Sequence, residues 1–331
     1  MILKNSLNYI NQFFFFIINK TRFFYLNSNI YNKKISKTND NNLEYKPSPN
    51  LLDALIKYKK KKNKIEDFSL SSIWENKSIK EKDYKKLHNF FWLFTLDLKS
   101  SQAITQTIVL NWINSYNKYN IKNWEIDTLS KRIIAWISNS KLTYEDSNET
   151  YKKKFNEIIL KQTNHLINEV NRSENFDNKL IGCSAIILVG LSYQDKSKYL
   201  EFGLNFLKKI AKYSLDTQGF PKSRSIRQLC FYYKYFVLIR EWIKDSQNEI
   251  PEYIDETIYN FGNAYSLVCQ NLEKSILFNG NYESDNSDFD NYLSKFGYKF
   301  KNSNYEIGGY LIQKNKKITL AMDVGSSPEK K

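Results

Sequence analysis

Apolar residues recur at helical spacing through most of the chain. Ile104, Ile108, Trp112, Ile113 and Tyr116 form one stripe, and Leu129, Ile133, Trp136 and Ile137 form another. Asp127 stands where an N-cap of the second helix would fall. Phe155, Ile158, Ile159, Gln162, Leu166 and Val170 make a third stripe, with His165 beside it as a packing residue. Leu51, Leu52, Leu55, Ile56 and Tyr58 start a short amphipathic helix that runs into the lysines at 59–62, a solvated helix end. The stretch 180–191 differs in kind. It is apolar on every face and carries Gly182, Ala185 and Gly190. A helix apolar all round must be buried all round, so at least two layers of helices are required. An outer-type helix around 196–213, a long aromatic helix around 225–244, and one opened by Pro251 follow.

The pattern changes after residue 272. Asp285–Asp288 can cap a short helix through Tyr292 and Leu293, closed by Gly297. Tyr310–Ile312 and Ile318–Met322 read as a hairpin. The expected organisation is an irregular lead-in over 1–45, a helical body over 46–272, and a linker, short helix and first strands over 273–331. The fold class is mainly α. Antiparallel helix pairs in two layers fit either a solenoid or a closed toroid, and periodicity does not choose between them.

Composition adds bounds. Among 331 residues, 41% hydrophobic and 16% aromatic exclude a disordered chain, and ten glycines with five prolines argue against an all-β sandwich. The net charge of +15 invites a nucleic-acid or anionic-polymer partner. Most of that charge is lysine, accompanied by heavy Asn, Ile and Tyr usage, as a biased, AT-rich coding sequence gives, so no nucleic-acid partner is inferred. Arginine is scarce, which makes the close pair Arg224 and Arg227 more informative than any lysine run. Cys183, Cys230 and Cys269 read as small buried hydrophobes, and with His88 and His165 so distant from them no metal site is implied. No run reaches the ~20 apolar residues of a membrane span. The segment Phe13–Ile18 has the apolar core of a signal peptide without a small-residue cleavage site behind it. A docking N-terminal helix or a membrane-surface contact is the preferred reading, and cytoplasmic and periplasmic placement both stay open.

Several tracts, in order, resemble the heparinase II/III-like proteins, in particular their α-proteobacterial-type branch. They are Phe91-Trp92-Leu93-Phe94-Thr95-Leu96-Asp97-Leu98, then Trp124 with Leu129–Ile137, and the buried stretch after Asn178. Gly219–Ser225, Leu277-Phe278-Asn279-Gly280 and Met322–Pro328 complete the series. The resemblance implies an (α/α) toroid followed by a β-sandwich, of which this chain would hold the toroid and only the opening strands, as a partial or truncated member. It implies β-elimination on a uronic-acid-containing glycan, with an acidic polysaccharide or oligosaccharide as partner and no cofactor.

That reaction needs a group to neutralise the uronate carboxylate, a base for the C5 proton and an acid for the leaving oxygen. Asn178 falls where the family's toroid Asn stands; it either faces a cleft or is an ordinary N-cap. Arg224 and Arg227, three apart, would share a helix face and clamp a carboxylate or sulfate, or else bind neighbouring loops. The family's tyrosine is replaced near Ile226. Tyr232, followed by Tyr233 and Tyr235, is the candidate substitute, although an aromatic stripe there also reads as core. The loop Asn279–Glu283, with Asn279 and Glu283 as substrate-binding candidates, either lines the cleft or is a polar turn. Two readings from other classes remain beside the lyase: a non-catalytic carbohydrate-binding toroid, and an α-solenoid protein-interaction scaffold.

Overall fold

The computed structural model describes residues 14, 16–36, 42–55, 80–96, 102–194, 197–270, 276–281, 286–298, 300, 305–314 and 318–327. Within the lead-in, where the apolar segment Phe13–Ile18 is read as a docking helix or a membrane-surface contact, the chain forms α1 (residues 16–26) and α2 (Asn29–Ile35). Ser28 caps α2 by accepting from the Tyr31 amide, and Tyr31 and Ile35 are buried. The chain then runs past the body in extended form, where the Glu44 amide donates to the Ser192 carbonyl at 2.8 Å, and enters α3 (Pro49–Leu55). The lysine run at 59–62 lies outside the described residues.

The body comprises α4 (Glu81–His88), a 3-10 turn (Phe91–Thr95), α5 (Gln102–Tyr116), α6 (Ile126–Ser138), α7 (Ser140–Thr143), α8 (Glu149–Glu169), α9 (Phe176–Ser192), α10 (Ser197–Ser214), α11 (Ile226–Asp245) and α12 (Glu252–Val268). Helices α6, α9 and α11 form one row, with α9 touching both neighbours. Helices α8, α10 and α12 back that row. This two-layer arrangement is what the all-apolar stretch 180–191 demands, and α9 is indeed buried along it. Small residues set the spacing. A Cβ on Gly190 would lie 2.4 Å from the Leu200 amide nitrogen, and one on Gly203 would lie 2.5 Å from the Ile187 side chain. Helices α9 and α10 therefore meet nearly backbone to backbone. Asp127 is not the cap of α6; Glu125 holds that position, and Asp127 lies in the first turn, paired with Lys131 at 2.7 Å.

A buried cation organises the α4–α6–α8 end. Arg132 is fully enclosed, stacks 4.0 Å from the Trp112 ring, and donates to the carbonyls of His88 and Asn123, both at 2.9 Å, and to Gln162 Oε1 at 3.3 Å. Burial pushes its pKa well down.

After α13 (Ser287–Lys295) come β1 (Glu306–Ile307), β2 (Tyr310–Lys314) and β3 (Thr319–Asp323). They form a three-stranded antiparallel sheet in the order β1-β2-β3, one strand more than the expected hairpin. Ile307 pairs with Tyr310 around Gly308 and Gly309, both at positive φ (55° and 77°), the conformation a two-residue hairpin turn requires. Leu311 pairs with Met322, and Lys314 with Thr319. No described helix is long and apolar enough to cross a membrane.

Candidate functional site

The N-termini of α9 and α11 open onto one recess, reached from the side by the end of α10 and by the 215–225 loop. Its volume is about 210 Å³, and it is lined by Glu174, Asn175, Phe176, Asp177, Tyr213, Ser214, Lys222, Ser223, Arg227 and Gln228. Each helix start is capped by a side chain. Asn175 Oδ1 accepts from the Asp177 amide at 2.7 Å and the Asn178 amide at 3.4 Å, and Ser225 Oγ accepts from the Gln228 amide at 3.4 Å. Two long helices thus direct the positive ends of their dipoles at the same space.

The loop is built for this placement. Asp216 Oδ1 accepts from the Gln218 and Phe220 amides, both at 2.8 Å, and Gly219 turns the chain at φ 77°. Leu215 then bridges Pro221, which delivers Lys222 and Ser223 to the recess. A relay of polar contacts crosses the floor. Ser223 Oγ donates to Gln228 Oε1 at 2.5 Å, Gln228 Nε2 donates to Asp177 Oδ1 at 2.6 Å, and Arg227 pairs with Asp177 Oδ2 at 3.6 Å. Asp177 is thereby held by Gln228 and Arg227 while keeping its charge. Arg227 stays 42% exposed with one loose ion pair, so part of its fork faces the recess. Lys222 forms no ion pair among the described residues. Tyr213, 61% exposed, stands at the rim.

The residues singled out from the sequence divide into groups. Arg227 lines the recess. Asn178 sits in the first turn of α9, half-buried and one residue beyond the lining; the N-cap is Asn175, so Asn178 is not the cap. Tyr232 lies fully buried on α11, its hydroxyl near Ser214 of the recess lining. Burial, reinforced by the nearby Asp177 charge, raises its phenol pKa far above the usual range. Tyr233 is equally buried, and Tyr235 is buried as well.

Arg224 and Arg227 do not share a helix face. Arg224 precedes α11 with φ at 55°, and its guanidinium turns to the sheet. It donates to the carbonyls of Gly308 (3.1 Å), Gly309 (3.0 Å) and Ser326 (2.6 Å), pairs with Asp323, and lies 5.1 Å from the Tyr310 ring centroid. The Arg224 contact holds the Asp323 carboxyl below its usual pKa. Asn279 joins the same cluster, donating to the Tyr310 hydroxyl at 2.5 Å and to Asp323 at 3.4 Å. Arg224 and Asn279 thus tie the sheet to the helical body, apart from the recess. Glu283 lies outside the described residues.

Sequence reading missed Asp177, Lys222, Ser223 and Gln228. The signal available was the sequence neighbourhood of Asn178 and Arg227, since residues flanking two helix starts converge when the starts do. It also missed that Cys230 and Cys269 lie side by side, with their sulfurs 3.5 Å apart. The two histidines are elsewhere. His88 accepts from the Trp112 indole at 3.0 Å, and His165 bonds the Tyr31 hydroxyl at 2.7 Å, both deep in the α1–α8 end.

Comparison with solved structures finds heparinase III, with a TM-score of 0.57 at 12% identity. The helical body shares its fold with heparinase III. That alignment covers 76% of this chain and 46% of heparinase III. The heparan sulfate lyase HepC from Pedobacter heparinus matches at a TM-score of 0.52 and 13% identity, over 72% of this chain and 43% of HepC. A HepC mutant matches at 0.56 and 13%, over 74% and 45%. This chain therefore spans less than half the length of each of these lyases. No protein-family model and no curated protein matches the sequence.

Proposed function

We propose that this chain is the helical part of a heparinase-like polysaccharide lyase, and that its recess between the starts of α9 and α11 holds the acidic group of a uronic-acid-containing glycan. The observation that carries the reading is the geometry of Arg227 and Lys222. These two cations face a concave site where two helix dipoles favour an anion; Glu174 at the exposed edge and Asp177, bonded by Gln228 and loosely paired with Arg227, offset part of that charge. A uronate carboxylate docked there would lose charge to Arg227 and Lys222, and that loss acidifies the C5 proton and prepares β-elimination. Tyr213 at the rim offers a flat apolar face to a sugar ring. Asn178, one residue beyond the lining, is the candidate to hydrogen-bond the same carboxylate once ligand fills the site.

A specific observation supports a second reading, a carbohydrate-binding toroid without proton transfer. The Tyr232 hydroxyl is buried, and neither histidine lines the recess. One experiment separates the two. The full-length protein is incubated with a panel of acidic glycans, and both binding and the ultraviolet absorbance of unsaturated uronate ends are followed. The lyase reading expects absorbance to rise, and Tyr232→Phe to abolish it. The binding reading expects affinity without absorbance, unchanged in Tyr232→Phe. In both, Arg227→Ala and Lys222→Ala each weaken affinity about tenfold. Full affinity in the double variant would remove the recess from consideration.

A further inference from the structure

The first two helices of the chain carry more apolar side chains than their seat on the body covers. They dock through the buried Leu26, Tyr31 and Ile35 and through polar contacts: Arg22 pairs with Glu169, the Tyr31 hydroxyl meets His165 at 2.7 Å, and Asn164 Nδ2 donates to the Ile35 carbonyl at 2.8 Å. Other large apolar side chains stay outside. Phe14, Phe16, Ile18, Phe23, Phe24 and Ile30 are between 44% and 74% exposed, all within seventeen residues of sequence. So many exposed large apolar side chains on two short helices, beside a body whose own core is well filled, mark a contact with something outside the chain.

Charge selects what that is. The first acidic residue of the sequence is Asp40, whereas Lys4, Lys20, Arg22, Lys33, Lys34 and Lys37 precede it. Lys20, Lys33 and Lys34 are exposed beside the apolar side chains, and the Lys20 ammonium lies 5.7 Å from the Phe16 ring centroid. Glu169 of α8, the carboxylate that reaches this side, is paired with Arg22. Aromatic side chains rimmed by lysines, with no carboxylate on the two helices themselves, suit the boundary between acyl chains and anionic headgroups. A second copy of this chain would bring two such cation sets together, which repel. No described helix is long and apolar enough to cross a bilayer. We propose that α1 and α2 rest on an anionic lipid surface, with the phenylalanines in the interface and the lysines among the headgroups.

The test is co-sedimentation of the full chain with phosphatidylcholine vesicles, with and without phosphatidylglycerol. Binding to the mixed vesicles is expected, about tenfold or more weaker on neutral vesicles and again weaker at high salt. Phe16→Glu with Phe24→Glu should lower partitioning about tenfold or more, and Lys33→Glu with Lys34→Glu about fivefold or more. All four side chains are exposed or at the surface, so the circular dichroism and melting midpoint of both variants should match the parent. If the glutamates disturb the fold, Phe16→Ser with Phe24→Ser serves in the same assay. The proposal is overturned by no binding to any vesicle, or by equal binding to neutral and anionic vesicles that ignores the phenylalanine changes. It is overturned equally by a concentration-dependent dimer that the phenylalanine changes dissolve while vesicles bind nothing.

Discussion

Replacing Arg224 separates its structural role from a ligand-binding one. The side chain is 10% exposed and makes three charge-assisted hydrogen bonds to the carbonyls of Gly308, Gly309 and Ser326, besides its pair with Asp323. Bonds of this kind contribute roughly 1.5–3 kcal/mol each. They are not additive, and water can reach the Ser326 and Asp323 end, where the ion pair counts for little. A net loss of about 3–5 kcal/mol is expected for Arg224→Ala, confined to the seating of the sheet. Because residue 224 stands at φ 55°, Arg224→Gly should recover about 1 kcal/mol of that loss. Arg224→Lys should fall between parent and alanine, since an ammonium cannot reproduce the fork. Amide hydrogen exchange reads this directly. At about 1.4 kcal/mol per decade, the amides of β2 and β3 should exchange a hundredfold faster or more, while those of α9 keep their rates. Unchanged exchange in the sheet combined with lost glycan affinity would refute the structural assignment and return Arg224 to the ligand site.

Three further outcomes follow from the packing. His88 and His165 are buried, and burial lowers both to about 3 from the ordinary 6.5. The unfolded chain then holds more protons than the folded one between those values. Stability is therefore complete above about pH 6.5 and falls by roughly 1.4 kcal/mol per pH unit per histidine as pH drops toward 3. Urea titrations of the parent and of His165→Gln should show the variant with the shallower slope. Gly190→Ala forces a methyl against the Leu200 backbone and should cost about 1–3 kcal/mol in a thermal melt, whereas a neutral result would mean α9 and α10 are further apart than described. A mild dithiol oxidant should join Cys230 to Cys269, leaving one titratable thiol of three and adding about 2–4 kcal/mol of stability that a reductant removes. Three thiols remaining after oxidation would show that the pair cannot close.

Which features the sequence disclosed follows from the range of the forces behind them. The burial of α9 was legible because an apolar residue at every helical position leaves no face for water. The shift from helices to strands was legible because turn residues and alternation change locally. The pairing of Arg224 was not, since spacing by three assumes a helix already begun, and one left-handed residue before the N-cap sends the side chain the other way. Helix α1 was legible only as an apolar run and α2 not at all, because their apolar side chains are not confined to a buried face, which removes the periodic signal. The meeting of Cys230 with Cys269, and of Asp177 with Gln228, depends on how separate helices pack, and nothing local encodes that. The recess was half legible: the flanks of two helix starts were marked, but their convergence was not.

The loop from 215 to 225 has a consequence of its own. Within three successive residues it gives Lys222 and Ser223 to the recess and Arg224 to the sheet, while α9 and α10 are too closely interlocked to yield. The short loop therefore acts as a lever with a fixed fulcrum. A ligand that draws Lys222 inward pulls on the same short loop that places Arg224, so amide exchange in β2 and β3 should slow or quicken when the recess is filled. Any coupling between occupancy of the recess and order in the sheet is reciprocal: a ligand that tightens the one tightens the other by the same free energy.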